Sequence, residues 1–464
     1  MAAYQVSSCL SIQVYALFGK PPFAEGARIG SNWEEITDYV MSLNTKSGRS
    51  NFMMDFPPAT AKIILKNQDR RFDPSFTTGA YAASGKSKVT VGVRIRIIAN
   101  YTNAAGTIKL GLYDGHAIDW KQKFDMNGNI MTCELKCADR TFLMQNFRYI
   151  ATRSAETPLT RFVDILTEVS ESASATDYSW AYQTNIYGTG FAAGNTLAAK
   201  TYSESALEAM RQVCTTAVTN FRMSQCGQFT AARLPFSTTM GHTCTRFDGF
   251  DSLVTLDPTQ TIPPTASSTG VAYQDVRFSS NLGKTINEVR FAQEGTTAYQ
   301  YANNADNFAV NGVQSVSWAQ SLYTSAGILW RNATIMQNAY RDAELLVDQV
   351  SIDLETDTYI PAVNSAWDKF FKGIIGEETN VSSISYGSNT YLVDFNTLTV
   401  SIPMPDGSTE TIKGLRSGIE LSLNRLDPRF NVKVNIEPIS LARVWALGKV
   451  GFSEIGDSTV LTIP

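Results

Sequence analysis

The sequence predicts a mainly β protein with an α+β portion in its middle. Three patterns carry that expectation. Val89, Val91, Val93, Ile95 and Ile97 alternate with Thr90, Gly92, Arg94 and Arg96, the period-two pattern of a half-buried antiparallel strand. Near the other end Leu398, Val400 and Ile402 alternate in the same way. Ile419, Leu421 and Leu423 follow, then Val432, Val434 and Ile436, a meander with Asp406-Gly407 as its hairpin turn. Between these regions, residues 151–221 carry apolar side chains at helical spacing.

Taken in order, residues 1–150 read mostly as strands. The start, MAAYQVSSCLSIQVYALFG, has no basic n-region and reads as a first strand rather than a signal peptide. Trp33 to Val40 precedes Ser47-Gly48-Arg49. A hydrophobic strand from Ala59 then runs into a charged turn, Asn67-Gln68-Asp69-Arg70-Arg71-Phe72-Asp73-Pro74. Asn67 and Asp69 are turn formers, and Pro74 restrains Asp73 to extended or turn geometry. Arg70 and Arg71 invite a nucleic-acid reading. An arginine fork on Asp69, Asp73 or a neighbouring subunit's carboxylate is the simpler account. Gly111 to Gly115 is a strand. In Ile130 to Ala138, Met131, Cys133, Leu135 and Cys137 share one face. Asp139 to Leu143 is a short helical turn.

Residues 151–270 shift towards helix. Thr157 is an N-cap with Pro158 at the first helical position. Leu159, Phe162, Val163, Leu166 and Val169 then fall on one face. Ser205 and Glu208 form a capping box. The stripe Leu207, Met210, Val213, Cys214, Ala217, Val218 and Phe221 reads as core rather than as a ligand groove. Met223 to Ala231 is a hairpin, and Pro258 to Gly270 marks a boundary. In 271–464, Val289 and Phe291 lie in a strand. A helix over Ser321 to Asp342 carries Leu329, Ile335, Met336 and Tyr340. Val350 to Leu354 is a strand, and Trp367 to Ile374 is a short helix with Phe370, Phe371 and Ile374 inward.

Composition narrows the function. The chain has 464 residues, 43% of them hydrophobic, with 39 basic and 43 acidic residues for a net charge of −4. That balance lacks the basic stripe of a dedicated DNA-binding protein. No 18-residue apolar run exists to span a membrane. Cys9, Cys133, Cys137, Cys214, Cys226 and Cys244 form no C-x-x-C pair and read as free buried thiols of a reducing cytosol. A zinc site from Cys226, His242 and Cys244 is the alternative. With two histidines the chain has no H-E-x-x-H, and it has no G-x-S-x-G elbow or calcium loop. Gly283-Lys284-Thr285 lacks the preceding glycine of a phosphate-binding loop, because position 278 is Phe278. The Asn-x-Ser/Thr sequences at Asn100, Asn332 and Asn380 carry no meaning in a cytosolic bacterial product.

Several segments together resemble a known family. They are the W-x-x-I-T-x-x-V run of Trp33 to Val40, the charged turn of Asn67 to Pro74, the strand Val91 to Ile97, the start Asn287-Glu288-Val289, and Trp445-Ala446-Leu447-Gly448. The chain resembles the minor tail proteins, or tail hubs, of long-tailed, siphovirus-type bacteriophages, over nearly its whole length as an order of elements. It departs from them at Gly79 to Lys86, where relatives have a proline- and tyrosine-containing loop. A second departure is Cys226-Gly227, where they have an Asp-Gly hairpin.

The resemblance implies two tube-like β-barrel or sandwich domains, residues 1–150 and 271–464, the latter with one long helix. An α+β middle module, 151–270, lies between them. It implies a structural virion protein, assembled in the host cytoplasm and sited at the distal end of the tail. Such a protein is a homotrimer linking the tail tube or distal tail ring and the tape measure protein to tip and receptor-binding proteins. Genomic DNA passes through it, and negative net charge would suit a channel wall that repels phosphate. Trp33, Asn67, Asp69, Arg70, Arg71, Phe72, Asp73 and Pro74 are its structural motif residues, with no catalytic residue, cofactor or metal expected. The alternatives are a tail-associated cell-wall or polysaccharide hydrolase, which needs only two carboxylates, and a carbohydrate-binding adhesin.

Overall fold

A computed structural model describes residues 4–5, 9–18, 33–49, 57–103, 106–125, 130–172, 182–184, 195–223, 225, 227, 229–233, 254–260, 265, 268–279, 286–303, 308, 312–340, 346–354, 365–378, 383–386, 389–392, 397–424 and 427–438. The segments Trp445 to Gly448 and Leu282 to Thr285, the Asn380 site, and Cys226, His242 and Cys244 lie outside the described residues, as do the side chains of Ile335 and Tyr340.

The fold is mainly β. Alternating sequence makes the first strands: β1 (Tyr4–Gln5), β2 (Leu10–Leu17), β3 (Glu34–Glu35), β4 (Val40–Gly48) and β5 (Thr60–Lys66). A small hairpin of β6 (Ala82–Ala83) and β7 (Lys86–Ser87) leads to β8 (Arg94–Asn103), β9 (Gly106–Asp125) and β10 (Ile130–Ala138). Ala61, Ile63 and Leu65 of β5 face the core beside Leu135, Cys133 and Cys137 of β10.

Helices and short strands then alternate: α1 (Arg140–Asn146), β11 (Arg148–Arg153), α2 (Pro158–Ser172), β12 (Tyr182–Thr184), β13 (Lys200–Ser205), α3 (Ala206–Thr216), β14 (Thr219–Met223) and β15 (Phe229–Arg233). Their starts follow capping chemistry. Asp139 accepts from the Thr141 N–H, Thr157 from the Thr160 N–H and Ser205 from the Glu208 N–H.

After β16 (Val254–Leu256) and β17 (Asp275–Ser279) come β18 (Glu288–Gln293), β19 (Tyr299–Asn303), β20 (Ser315–Ser321) and α4 (Ala326–Tyr340). The last stretch holds β21 (Leu346–Leu354), then α5 (Ser365–Phe370) with a π-helical turn at Phe371–Ile375, and β22 (Glu377–Glu378). It continues through β23 (Ser383–Tyr386), β24 (Asn389–Leu392), β25 (Thr397–Pro403), β26 (Thr409–Asn424) and β27 (Asp427–Pro438). Trp367, Phe370, Phe371 and Ile374 are buried together, and Phe371 stacks on Tyr101 of β8 at 4.8 Å between centroids.

The chain forms two compact units. The first comprises Met1–Arg233, Ser252–Ser279 and Leu345–Pro438, and the second Leu234–Asp251, Ser280–Glu344 and Ile439–Pro464. A 15-stranded sheet organises the first unit, in the order β1-β2-β8-β9-β10-β5-β4-β26-β27-β21-β17, with β3, β22, β25 and β16 attached at its sides. In the second unit α4 packs on a sheet of order β19-β18-β20, over Val289 and Phe291.

Local expectations needed correction in three places. The alternating run does not begin as a strand at Val89: Thr90 to Val93 is a turn with Gly92 at φ 90°, and Val91 is 59% exposed. Strand β8 starts at Arg94, and its second face is not solvated, because Arg94 and Arg96 are buried. The apolar stripe to Phe221 is not one helix. Helix α3 ends at Thr216, Val218 takes φ 52°, and Phe221 reaches the same core from strand β14. The helix expected from Ser321 starts at Ala326, since Ser321 is the last ladder residue of β20.

Candidate functional site

The charged turn is organised from below by Asn67. This side chain is buried at the end of β5, donates to Gln122 Oε1 at 2.6 Å and accepts from the Phe72 N–H at 2.9 Å. Its own N–H donates to Met131 O, so the turn is tied to both β9 and β10. Successive i→i+3 bonds then carry the chain over: Arg70 N to Asn67 O, Asp73 N to Arg70 O and Phe76 N to Asp73 O. Arg70 takes φ 59°, which lets the two arginines splay to opposite sides.

Arg70 binds Asp73 through Nη2 at 2.7 Å, and Arg71 binds Asp69 and the Tyr39 hydroxyl. Arg71 also lies over the Tyr39 ring at 4.1 Å. The Arg71 guanidinium beside Asp69 lowers that carboxyl's pKa. Burial works against Asp73, but Ser75 and Arg70 hold it below its usual value. Both arginines are therefore committed to carboxylates of their own turn. Phe72 inserts beneath them among Tyr39, Tyr81 and Trp120, and Pro74 sits exposed at the rim.

A second cluster lies between β8, β9 and α1. Arg94 grips Asp114 with two bonds of 2.9 Å, and Arg96 binds the same carboxylate. Trp33 lies beside both guanidinium groups, at 5.9 and 5.7 Å. Burial alone would raise the Asp114 pKa, but Arg94 and Arg96 reverse that and hold it well below the carboxylate range. Burial, with Arg140 and Arg94, pushes His116 well below its ordinary value, so its imidazole is neutral at pH 7. The backbone of Gly227 closes over the cluster: a Cβ there would come within 2.6 Å of Asp114 Cγ.

Sequence reading placed Arg94 and Arg96 on a solvated face and missed this centre. The signal was an Arg-x-Arg strand facing an Asp in its antiparallel partner. Arg161, buried on α2 with Glu156 Oε1 at 2.6 Å and Ser154 O at 2.6 Å, was also missed. It sits at i+3 from Pro158, inside an otherwise apolar face.

The third feature is the junction of β4 with β26, where Asn44 Nδ2 reaches Glu420 Oε1 at 3.2 Å across 376 residues of sequence. Gly48 pairs with Gly418, and the two backbones nearly touch. A Cβ on Gly48 would overlap Gly418 Cα and Ser417 O, and one on Gly418 would lie 2.8 Å from Ser47 O. Along the sheet's polar face, register aligns Lys136, Lys62, Asn44, Ser422, Asn431 and Asp353 in one row. A shallow groove of about 410 Å³ runs over this row, with Arg429 at its rim. Lys46, Lys62, Lys121 and Lys433 share that face with Glu134 and Glu420. This face mixes signs, with lysine in excess.

None of these clusters is arranged for catalysis on a bound metal: among the described residues no three His, Cys, Asp or Glu side chains group to hold an ion. Cys9, Cys133, Cys137 and Cys214 are buried and form no disulfide. Burial pushes the Cys133 thiol up to about 12, far from a reactive thiolate.

No protein-family model and no curated protein matches the sequence. Solved structures do match the fold. A tail protein from Neisseria meningitidis MC58 aligns over 92% of this chain and 96% of its own, at 9% identity and a TM-score of 0.51. The 43 kDa tail protein of prophage MuSo2 from Shewanella oneidensis aligns over 92% and 98%, at 11% identity and a TM-score of 0.52. The chain has a tail-protein fold. Both likenesses span almost the full length of both partners, so the tail-protein fold includes the discontinuous sheet and is not confined to one β half.

Proposed function

We propose that this chain is a structural virion protein, the hub at the distal end of a phage tail tube. What carries the reading is one sheet that runs from an N-terminal β half into a C-terminal one through β4 and β26, in a chain with a tail-protein fold over 92% of its length. In this reading 1–150 and 271–464 supply two tube-like β domains, and 151–270 is the middle module. Three chains then present six β domains, which reconciles a sixfold tube with a threefold tip. The charged turn of Asn67 to Pro74 is a structural device that ties the end of β5 to β9 and β10, whereas Trp33 belongs to the separate Arg94–Arg96–Asp114 cluster.

The partners are a second and third copy of the chain, the tail tube or distal ring protein, the tape measure protein, and tip or receptor-binding proteins. Genomic DNA crosses the ring in transit, and the tail is of the non-contractile, siphovirus type. The protein's role is mechanical, and no residue is assigned to catalysis.

Gold-tagged antibody against this chain, viewed on purified virions by electron microscopy, tests the position. Gold at the distal tail end alone is the expected result. Virions that stay unlabelled, although the epitope is reactive on denatured particles, overturn it.

A further inference from the structure

The second compact unit offers a surface that the hub reading does not use. Strands β19, β18 and β20 form a sheet whose inner face is filled by Val289, Phe291 and Ala302 under α4. Tyr299 and Tyr301 alternate with those inward residues and point the other way, 39% and 57% exposed. Two residues apart on one strand, they leave the same face of the sheet about 7 Å from one another. Register sets Arg290 between Tyr301 and Ser317, and Glu288 between Asn303 and Ser315. Arg290 Nη2 and Glu288 Oε1 are 2.7 Å apart, so the exposed guanidinium is neutralised by a carboxylate that is itself buried, and the strip carries a donor without a net charge.

Chemistry and size narrow the occupant. A cancelled charge gives no hold on phosphates, which are bound through uncompensated Lys and Arg. Five residues by three strands cover roughly 240 Å², well short of the ~800 Å² per partner of a stable protein interface. A ligand suited to this face is narrow and neutral, has apolar faces for two aromatic rings, and is rich in hydroxyls. A tyrosine ring with an apolar body and a wet edge fits that need, and the serines, Asn303 and the Arg290 guanidinium supply hydroxyl partners. We propose that this sheet face binds a neutral saccharide chain, with adjacent sugar rings stacked on Tyr299 and Tyr301. The site stands independently of where the protein sits in a tail.

The test is saturation-transfer NMR on the full-length protein with chitotetraose, cellotetraose and maltotetraose at millimolar concentration. Transfer from at least one is expected. Tyr301→Ala should weaken it by about tenfold, in line with the loss of one aromatic contact, whereas Tyr301→Phe, which keeps the ring, should retain most of it. Because both tyrosines are exposed, thermal unfolding of these variants should be unchanged, which separates lost binding from lost fold. No transfer from any of the three sugars overturns the proposal. So does binding that survives in the Tyr299→Ala/Tyr301→Ala double variant, or a double variant that changes only self-association in the ultracentrifuge.

Discussion

Asn67 and Asp69 sit two residues apart in the same turn and should behave very differently. Asn67 is buried with its amide saturated, so Asn67→Ala strands the Phe72 N–H and Gln122. It should cost about 2–3 kcal/mol in denaturant unfolding. The exposed Asp69 pair with Arg71 is screened by water, and Asp69→Ala should cost less than about 1 kcal/mol. Asp114 is the other sensitive residue. Asp114→Asn leaves Arg94 and Arg96 buried against a neutral amide and should cost about 3–5 kcal/mol. The sign of its pH dependence follows from the lowered pKa. The stabilisation is fully present above the unfolded value of 3.8 and is lost as pH falls through the lower folded value. Acid titration of stability should therefore be steeper below about pH 4 in the native chain than in Asp114→Asn. Equal slopes would show that the pair does not control acid unfolding.

At the scale of elements, the helix caps and the strand junction are separable. Ser205→Ala removes one cap from α3 and should lower stability by about 1 kcal/mol without disturbing any sheet. Gly418→Val is a different kind of change. A branched side chain at the point where β26 meets β4 has no space beside Ser47 O. It should cost more than about 3 kcal/mol, and it should open the β4–β26 seam to limited proteolysis before the rest of the sheet. Cleavage no faster than in the native chain would mean that the seam does not hold the two β halves together. The caps of α2 and α3 were legible because capping is local: Thr157 and Ser205 bond donors three residues away. The junction was not, because alternation says which face a strand buries and nothing about which strand lies beside it.

For the whole molecule, the hub reading predicts a trimer. The path of the large sheet ends at β1 and at β17, and Phe278 of β17 is exposed. Sheet edges left in this state invite pairing with another chain. Arg277→Pro, which removes a ladder donor from β17, should shift native mass spectra from trimer towards monomer while the circular dichroism of the strands persists. A native chain that stays monomeric at every concentration would remove the basis for a ring.

The sequence by itself determined the mainly β class, the faces of most strands, the starts of α2 and α3, and the charged turn. Each follows from residues within a few positions of one another, where side-chain period and capping chemistry act. Only the tertiary structure decided that Arg94 and Arg96 are buried on Asp114, that Phe221 leaves the helix to reach the same core, and that β4 pairs with β26. It also decided that Tyr299 and Tyr301 share an exposed strip with Arg290. These depend on partners brought together by long-range register. The free energy of a strand edge or a buried charge is set by what packs against it, not by its neighbours in the chain.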